Sequence, residues 1–384
     1  MWFPLNGNGV RTDFGQADDA LTIPRFVNQK SNPAINRFTM KCHLHLVVDS
    51  LKQQTFMTQL IHSRSILAAS AAVLCAFLVP SAHADVFGSG PNTFTIDFVN
   101  IGNAGNANDS GTTGLFSSPY GGVGYEFQMG TYEISEDMIN KANTLGGLLI
   151  SKDTRGVNQA ATSVSWNEAA WFVNWLNVSS GYAPAYNFAV QPGGEGYTGN
   201  EDLVLWTPSN GGYDASNLYR NSSARYVLPS EHEWYKAAYY SGSGATYFDY
   251  ATGSDVIPTA VASGTGAGTA VFDGGGATVP ADITQAGGLS AYGTMGQNGN
   301  VAEWNESADD GINNSSSEIR ALRGGAWDET EFFLRSSVRL NTSPTASAIF
   351  VGFRVASVPE PSSTVLMISA GLLALARRRR RAAL

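Results

Sequence analysis

Two short apolar segments, one near each end of the 384-residue chain, restrict folding to the residues between them. The first runs from Ile66 to Val79 and the second covers residues 363–376. Each is shorter than the roughly 20 apolar residues that a helix needs to span a bilayer. The two segments therefore favour membrane-directed signals, and residues 85–356 are expected to form a single exported domain.

The first apolar segment has the parts of a secretory signal. A basic stretch precedes it, Pro80 ends it, and Ala82-His83-Ala84 has the small-x-small form that signal peptidase accepts. We expect residues 57–84 to be the signal peptide, with cleavage after the last alanine, because a start at Met57 gives a normal signal length. Residues 1–56 are then a mis-translated upstream extension, and peptides from them in the intact precursor would contradict that hypothesis. The alternative interpretation of the apolar run is a buried core helix.

The chain ends in a triplet, Pro359-Glu360-Pro361, followed by the apolar segment at 363–376 and an arginine block at 377–381. In this order the three parts resemble the PEP-CTERM sorting signal of Gram-negative bacteria, here residues 357–384. The resemblance implies export through the inner membrane, a transient anchor there, processing by an exosortase and a final place at the cell surface or outside the cell. It also implies a link to exopolysaccharide and biofilm. The arginines agree with the positive-inside rule, and a permanent single-span anchor is the alternative.

The region between the two signals is acidic and has no cysteine. Residues 85–356 contain 27 Asp and Glu against 11 Lys and Arg. This balance argues against a nucleic-acid partner, because phosphate backbones are bound by basic faces. Cys42 and Cys75 lie outside the region, so disulfides cannot stabilise the mature domain. His232 is its only histidine.

Hydrophobic patterns in this region predict an α+β domain with few regular elements and long loops. Alternation or local composition predicts strands at 94–99, 125–134, 320–327 and 350–356. Helices are predicted after a cap at Ser135 and after two capping boxes, Ser165–Glu168 and Ser230–Glu233. The Gly-rich, Ala-rich and Thr-rich residues 241–290 have little periodicity and read as loop.

Seven of the eight tryptophans lie in the region. They could stack on a cofactor, but we interpret them as core anchors whose indole N–H groups are hydrogen bonded. They are Trp166, Trp171, Trp175, Trp206, Trp234, Trp304 and Trp327.

Six sequence blocks, in order, resemble the formylglycine-generating enzyme (sulfatase-modifying factor) family. Together they cover about residues 94–356, and the set is far more specific than any one block. The blocks are 125–135 (YEFQMGTYEIS), 164–170 (VSWNEAA) leading to 174–177 (NWLN), 226–234 (YVLPSEHEW), 299–304 (GNVAEW), 322–327 (LRGGAW) and 352–355 (GFRV). The resemblance implies one C-type-lectin-like domain of low regular structure content, and it implies structural calcium.

The calcium prediction concerns the block at 299–304. By position, the resemblance assigns the ligands to the carbonyl oxygens of Gly299 and Val301 and to the carboxylate of Glu303, and hard oxygen ligands suit calcium. The family usually has Asp or Asn where this chain has Gly296, so Gln297 or Asn298 would have to substitute for that ligand. The alternative is an ion pair between Glu303 and an arginine.

Four arginines in or near the last blocks are candidate partners for acidic groups. We interpret them as partners in structural ion pairs, with an anionic-ligand site as the alternative. They are Arg323, Arg335, Arg339 and Arg354.

The resemblance also implies copper held by two cysteines after the Gly-Gly-x-Trp block, because thiolate ligands select Cu(I). The first cysteine aligns near Asp328 or Glu329, so copper and formylglycine-generating activity are not expected. A Ser-His-Asp triad would need His232, which we interpret as a solvent-facing residue at a helix start.

Two functions stay open. The first is an exported, non-catalytic binding or structural module, with an exopolysaccharide or a surface protein as a partner. The second is a family enzyme with altered, cysteine-independent chemistry that uses Asp328, Glu329 and Glu331. Signal peptidase and exosortase are the expected processing partners in both cases.

Overall fold

The computed structural model describes residues 83–111 and 119–358, and the structural statements below concern these residues. Three α-helices and a set of short strands are joined by long loops. The helices are α1 (Glu136–Gly146), α2 (Trp166–Ser179) and α3 (Glu231–Tyr239). The predicted α+β class with low regular content is therefore confirmed, and the C-type-lectin-like description stays a prediction.

The strands are short, and most of them form two sheets. Their bounds are β1 (His83–Phe87), β2 (Phe94–Ile101), β3 (Phe127–Gly130), β4 (Asn187–Phe188), β5 (Leu203–Val204), β6 (Tyr226–Val227), β7 (Thr259–Ala260), β8 (Thr269–Ala270), β9 (Ala302–Ala308), β10 (Arg320–Arg323), β11 (Leu340–Thr342), β12 (Val351–Gly352) and β13 (Ala356–Ser357). The pairs β4–β5 and β7–β8 stand apart as small ladders.

A five-stranded antiparallel sheet has the order β1-β2-β3-β13-β6. Along β2, buried and exposed residues alternate from Phe94 to Phe98, as the sequence predicts. The predicted strand at 125–134 is shorter, because the chain bends at Thr131 and turns toward the cap of α1. The last strand, β13, lies inside the sheet between two earlier strands.

A four-stranded sheet has the order β11-β10-β9-β12. All seven residues of β9 are buried, and β12 pairs with it in parallel. The predicted strand at 350–356 is two strands, β12 and β13, one in each sheet. The segment between them carries Arg354, whose guanidinium group donates to the carbonyl oxygens of Gly130, Thr131 and Met295. This arginine connects the end of β3 to the loop that precedes β9.

The three predicted helix starts are confirmed. Ser135 accepts from the backbone N–H of Met138, and both predicted capping boxes are present. In each box the serine hydroxyl and the glutamate carboxylate satisfy each other's backbone donors, which removes two of the unpaired N–H groups of a helix end. These boxes fix where α2 and α3 begin.

Four tryptophans are the hydrogen-bonded core anchors that the sequence predicts. Each is buried, and its indole Nε1 donates to a carbonyl or carboxylate oxygen. They are Trp166, Trp206, Trp234 and Trp304. In contrast, Nε1 of Trp171 and Nε1 of Trp327 are buried without a hydrogen-bond partner.

The predicted signal and sorting segments fall mostly outside the described residues. The mis-translated extension 1–56, the signal up to residue 82 and the sorting signal from residue 359 are not described. The expected cleavage point after Ala84 falls within β1, where this residue pairs with Asp97. No helix in 83–111 or 119–358 is long and apolar enough to cross a membrane.

Candidate functional site

Five loop segments meet around the start of β9, and we call them the loop hub. They are residues 249–252, 271–273, 295–300, 324–329 and 334–336. Backbone N–H groups link them at 2.7–3.0 Å, from Gly299 to Gly324, Asn300 to Val271, Trp327 to Asn300, Asp273 to Glu329 and Ser336 to Asp249. The side chain of Asn298 accepts from Ala251 N–H at 3.0 Å. The hub therefore joins the two blocks, 299–304 and 322–327, that carry most of the predicted site residues.

Glu303 is fully buried on β9 and is engaged in an ion pair. Arg354 donates from Nε to Oε2 and from Nη2 to Oε1, both at 2.6 Å. The indole Nε1 of Trp234 donates to Oε2 at 2.7 Å. This bidentate arrangement is the geometry of a strong charge-assisted pair, and it is the arginine alternative raised for this residue.

The predicted calcium ligands lie close together in sequence, but Glu303 does not have the surroundings of a calcium ligand. Its two oxygens face an arginine and an indole N–H, which are donors. Gly299 has φ +90° and packs on the Val271 carbonyl, and Val301 is buried. Among the described residues, no three His, Cys, Asp or Glu side chains form a group that could hold a metal ion. Calcium stays a prediction, and a melting curve in EDTA that overlays the curve in calcium would count against it.

Gly296 lies where the family usually has Asp or Asn, and a carboxylate fills the space beside it. A Cβ atom at this glycine, which has φ +82°, would lie within 2.5 Å of the Glu133 carboxylate. Oε1 of Glu133 accepts from Asn300 at 2.9 Å, whereas Oε2 has no partner. Burial raises the pKa of Glu133 to about 7, although Arg354 opposes this rise. The position of the Glu133 carboxylate beside Gly296 was not predicted, and the missing side chain at 296 is the only sequence feature that points to it.

The two carboxylates at the predicted first-cysteine position differ in their burial. Asp328 is exposed, whereas Glu329 is half-buried and its Oε2 is buried without a partner. Burial, and then the neighbouring Asp328 charge, raise the pKa of Glu329 to about 6. The third acidic candidate, Glu331, faces Arg335 at 3.9 Å on the surface.

Unpartnered polar atoms concentrate in the loop hub. Five side-chain atoms there are buried without a hydrogen-bond partner: Thr252 Oγ1, Asn298 Nδ2, Trp327 Nε1, Glu329 Oε2 and Arg335 Nε. Buried polar groups in folded proteins are nearly always paired with protein or water. Sequence reasoning singled out the tryptophan, the glutamate and the arginine but missed Thr252, which belongs to none of the blocks.

The family model of the sulfatase-modifying factor enzyme 1-like domain matches residues 122–358, which is more than half of the chain. The chain belongs to this family. Since the match begins after β2 and ends with β13, the sulfatase-modifying factor domain contains the whole loop hub. A second model, the PEP-CTERM protein-sorting motif, matches residues 357–381. Both predicted resemblances are confirmed, and the chain is an exosortase-sorted surface protein of this family.

Solved structures similar to the chain include three that cover most of it. Treponema denticola variable protein 1 is 19% identical with a TM-score of 0.49, and covers 73% of this chain and 100% of its own. CarF is 21% identical with a TM-score of 0.49, covering 69% and 98%. PvdO from Pseudomonas aeruginosa is 18% identical with a TM-score of 0.45, covering 72% and 98%. A search of curated proteins gives no match.

The copper chemistry of the sulfatase-modifying factor family does not fit this chain. Residues 85–356 have no thiolate to hold Cu(I), and the carboxylates of Asp328 and Glu329 are hard ligands. No step of an oxidation can therefore be assigned to the residues of the hub.

The interpretation of His232 as a solvent-facing residue holds only in part, because the residue is half-buried. Its ring packs 5.5 Å from the Tyr120 ring, and its Nδ1 is buried without a partner. Burial lowers the pKa of this histidine. The apolar contact arises because α3 turns this side chain toward Tyr120, and Nδ1 makes none of the hydrogen bonds that a catalytic triad requires.

The predicted role of the arginines in ion pairs is confirmed for the buried ones. Glu231, at the start of α3, contacts Arg323 at 2.7 Å and Arg339 at 2.8 Å. Arg339 also pairs with Asp309. These contacts fix α3 to the four-stranded sheet beside the hub.

Proposed function

We propose that this chain is a non-catalytic, ligand-binding member of the sulfatase-modifying factor family that is displayed at the cell surface after sorting. The family match and the sorting signal support the family membership and the surface location in this proposal. The absence of cysteine from residues 85–356 removes the family's copper ligands and supports a binding role.

The observation that carries the proposal is the set of unpartnered buried atoms in the loop hub. Trp327 Nε1, Asn298 Nδ2 and Arg335 Nε can only donate, and the Thr252 hydroxyl can do either. A ligand for them must offer oxygen acceptors. The hydroxyl and ring oxygens of a glycan meet that need, and the acidic domain disfavours a strongly anionic one. The proposed ligand is therefore a neutral exopolysaccharide glycan, in keeping with the biofilm link of the sorting signal.

The test is binding of purified residues 85–358 to neutral exopolysaccharide fragments, measured by calorimetry. Trp327→Phe keeps the ring and removes only the indole donor. We expect about a two- to tenfold loss of affinity, since one hydrogen bond contributes about 0.5–1.5 kcal/mol. The matched control is Trp171→Phe, which removes an equally unpartnered donor outside the hub. Equal losses in both variants, or no binding by the wild type, would contradict the proposal.

A catalytic role is the second candidate, and the Glu329–Asp328 pair favours it. A carboxyl group whose pKa is raised to about 6 by burial and by a neighbouring carboxylate is used in general acid–base catalysis. Turnover of a sulfatase-type cysteine peptide, or glycan cleavage that is lost in Glu329→Gln, would establish catalysis. Binding without turnover would favour the first proposal.

A further inference from the structure

The chain enters and leaves the domain at the same end of the five-stranded sheet. Strand β1 begins at His83, which pairs with Phe98 near the C-terminal end of β2. At the other terminus, Ser357 pairs with Gln128, which in turn pairs with Asn100. We call this the exit end of the sheet. Thr95, near the start of β2, marks its far end.

Strand directions explain this coincidence. Strand β1 is antiparallel to β2, so the start of β1 lies at the end of β2. Strand β13 is antiparallel to β3, which is antiparallel to β2. Strands β2 and β13 therefore run in the same direction, and their C-terminal ends lie at the same end of the sheet. Three strand spacings separate β1 from β13, or about 14 Å.

The connections to the apolar segments are short at both termini. Val358 donates its backbone N–H to the Arg225 carbonyl at 2.9 Å, so it is still held by the sheet. Only residues 359–362 separate it from the apolar segment, and four extended residues reach about 14 Å. Residues 80–82 are the only link between the first apolar run and β1. The headgroup layer of a leaflet is itself about 5–8 Å thick.

The side chains beside the C-terminal exit suit a headgroup layer. The guanidinium carbon of Arg225 lies 5.8 Å from the Tyr182 ring centre and 5.9 Å from that of Tyr226. Tyrosine is enriched at membrane–water interfaces, and arginine binds phosphate groups. The polar pair Asn100 and Gln128 continues this end of the sheet.

We propose that the exit end of the sheet faces the phospholipid headgroups of the inner membrane before exosortase acts. The C-terminal connection to the region cut by exosortase leaves the domain at this membrane-facing end. This orientation rests on the sorting signal and goes beyond the proposed ligand.

The test uses the signal-processed chain, residues 85–384, reconstituted in vesicles without exosortase. This chain has no cysteine, so single substitutions give unique labelling sites. Asn100→Cys places a fluorophore at the exit end, and Thr95→Cys places one on the same strand near the far end. Both positions are exposed and lie about 16 Å apart along β2.

Lipids with a nitroxide on the headgroup are expected to quench the label at position 100 and to leave the label at position 95 largely unquenched. Inserting about a dozen Gly and Ser residues after Val358 gives a flexible tether of about 20 Å and should abolish the difference. Equal quenching at both positions, stronger quenching at position 95, or quenching that survives the insertion would overturn the orientation. A chain that does not float with the vesicles would overturn it as well. Glycan binding to the hub is a separate readout, so failure of one leaves the other intact.

Discussion

At the scale of single residues, buried charge is the main feature of this domain. Glu303 and Arg354 form a bidentate pair with no exposed surface. Glu133 adds a second carboxyl group beside them, so two acids share one arginine. A buried pair is expensive to break, because removing one partner leaves an uncompensated charge.

Replacing Arg354 by Met should lower the free energy of unfolding by about 3–5 kcal/mol, since Glu303 would then be buried without its cation. Urea denaturation of the purified domain measures this change. Arg335→Met is the control, because that arginine is 41% exposed and lies 3.9 Å from its partner. It should change stability by less than about 1 kcal/mol. Similar losses of unfolding free energy in the two variants would show that the buried pair contributes no more to stability than the exposed one.

Glu133 should make stability depend on pH. Its pKa is raised to about 7 in the folded protein, from an ordinary value of 4.5. The folded state therefore binds the proton more tightly, and the resulting stability is present below about pH 4.5 and lost as pH rises through 7. Glu133→Gln should be more stable than the wild type at pH 8, by up to about 3 kcal/mol, and similar to it at pH 4. Denaturation at both pH values in EDTA tests this, and a pH-independent difference would contradict it.

At the scale of elements, the sequence predicts helix starts better than strands. Ser135, Ser165 and Ser230 cap where predicted because a cap depends on a few adjacent residues. Strands such as β7 and β8 have two residues each and no readable alternation. Their pairing depends on contacts distant in sequence.

Removing a cap should therefore have a local and predictable cost. Ser165→Ala removes the oxygen that accepts from Glu168 N–H at 3.2 Å, and we expect a loss of about 1 kcal/mol in thermal or urea unfolding. Ser89→Ala is the matched control, because Ser89 precedes a 3₁₀ turn without a side-chain cap. If both substitutions are neutral, the box does not stabilise α2.

At the scale of the whole molecule, six sequence blocks predict the family, and two of them, 299–304 and 322–327, predict part of the candidate site. They left open whether Glu303 would bind calcium or pair with an arginine, because its partner Arg354 lies 51 residues away. They also did not predict Thr252 in the hub, because residues 241–290 belong to no block. Both features depend on contacts between residues that are distant in sequence.

Truncation at residue 350 should abolish cooperative unfolding, whereas truncation after Val358 should retain it. The first variant lacks β12, Arg354 and β13, and so loses strands from both main sheets. The second keeps every described element and differs only by the sorting signal. Near-ultraviolet circular dichroism during a thermal melt distinguishes the two, and a cooperative transition in the shorter chain would contradict this expectation.

The position of β13 inside a sheet has a consequence for the timing of folding. The strand between β3 and β6 is supplied by the last residues before the sorting signal, so the native sheet cannot close while the chain is still being made or translocated. Closing it brings together residues more than 200 positions apart, and pairings of such long range form slowly. Completion of the five-stranded sheet is thereby delayed until the C-terminal end of the domain has emerged.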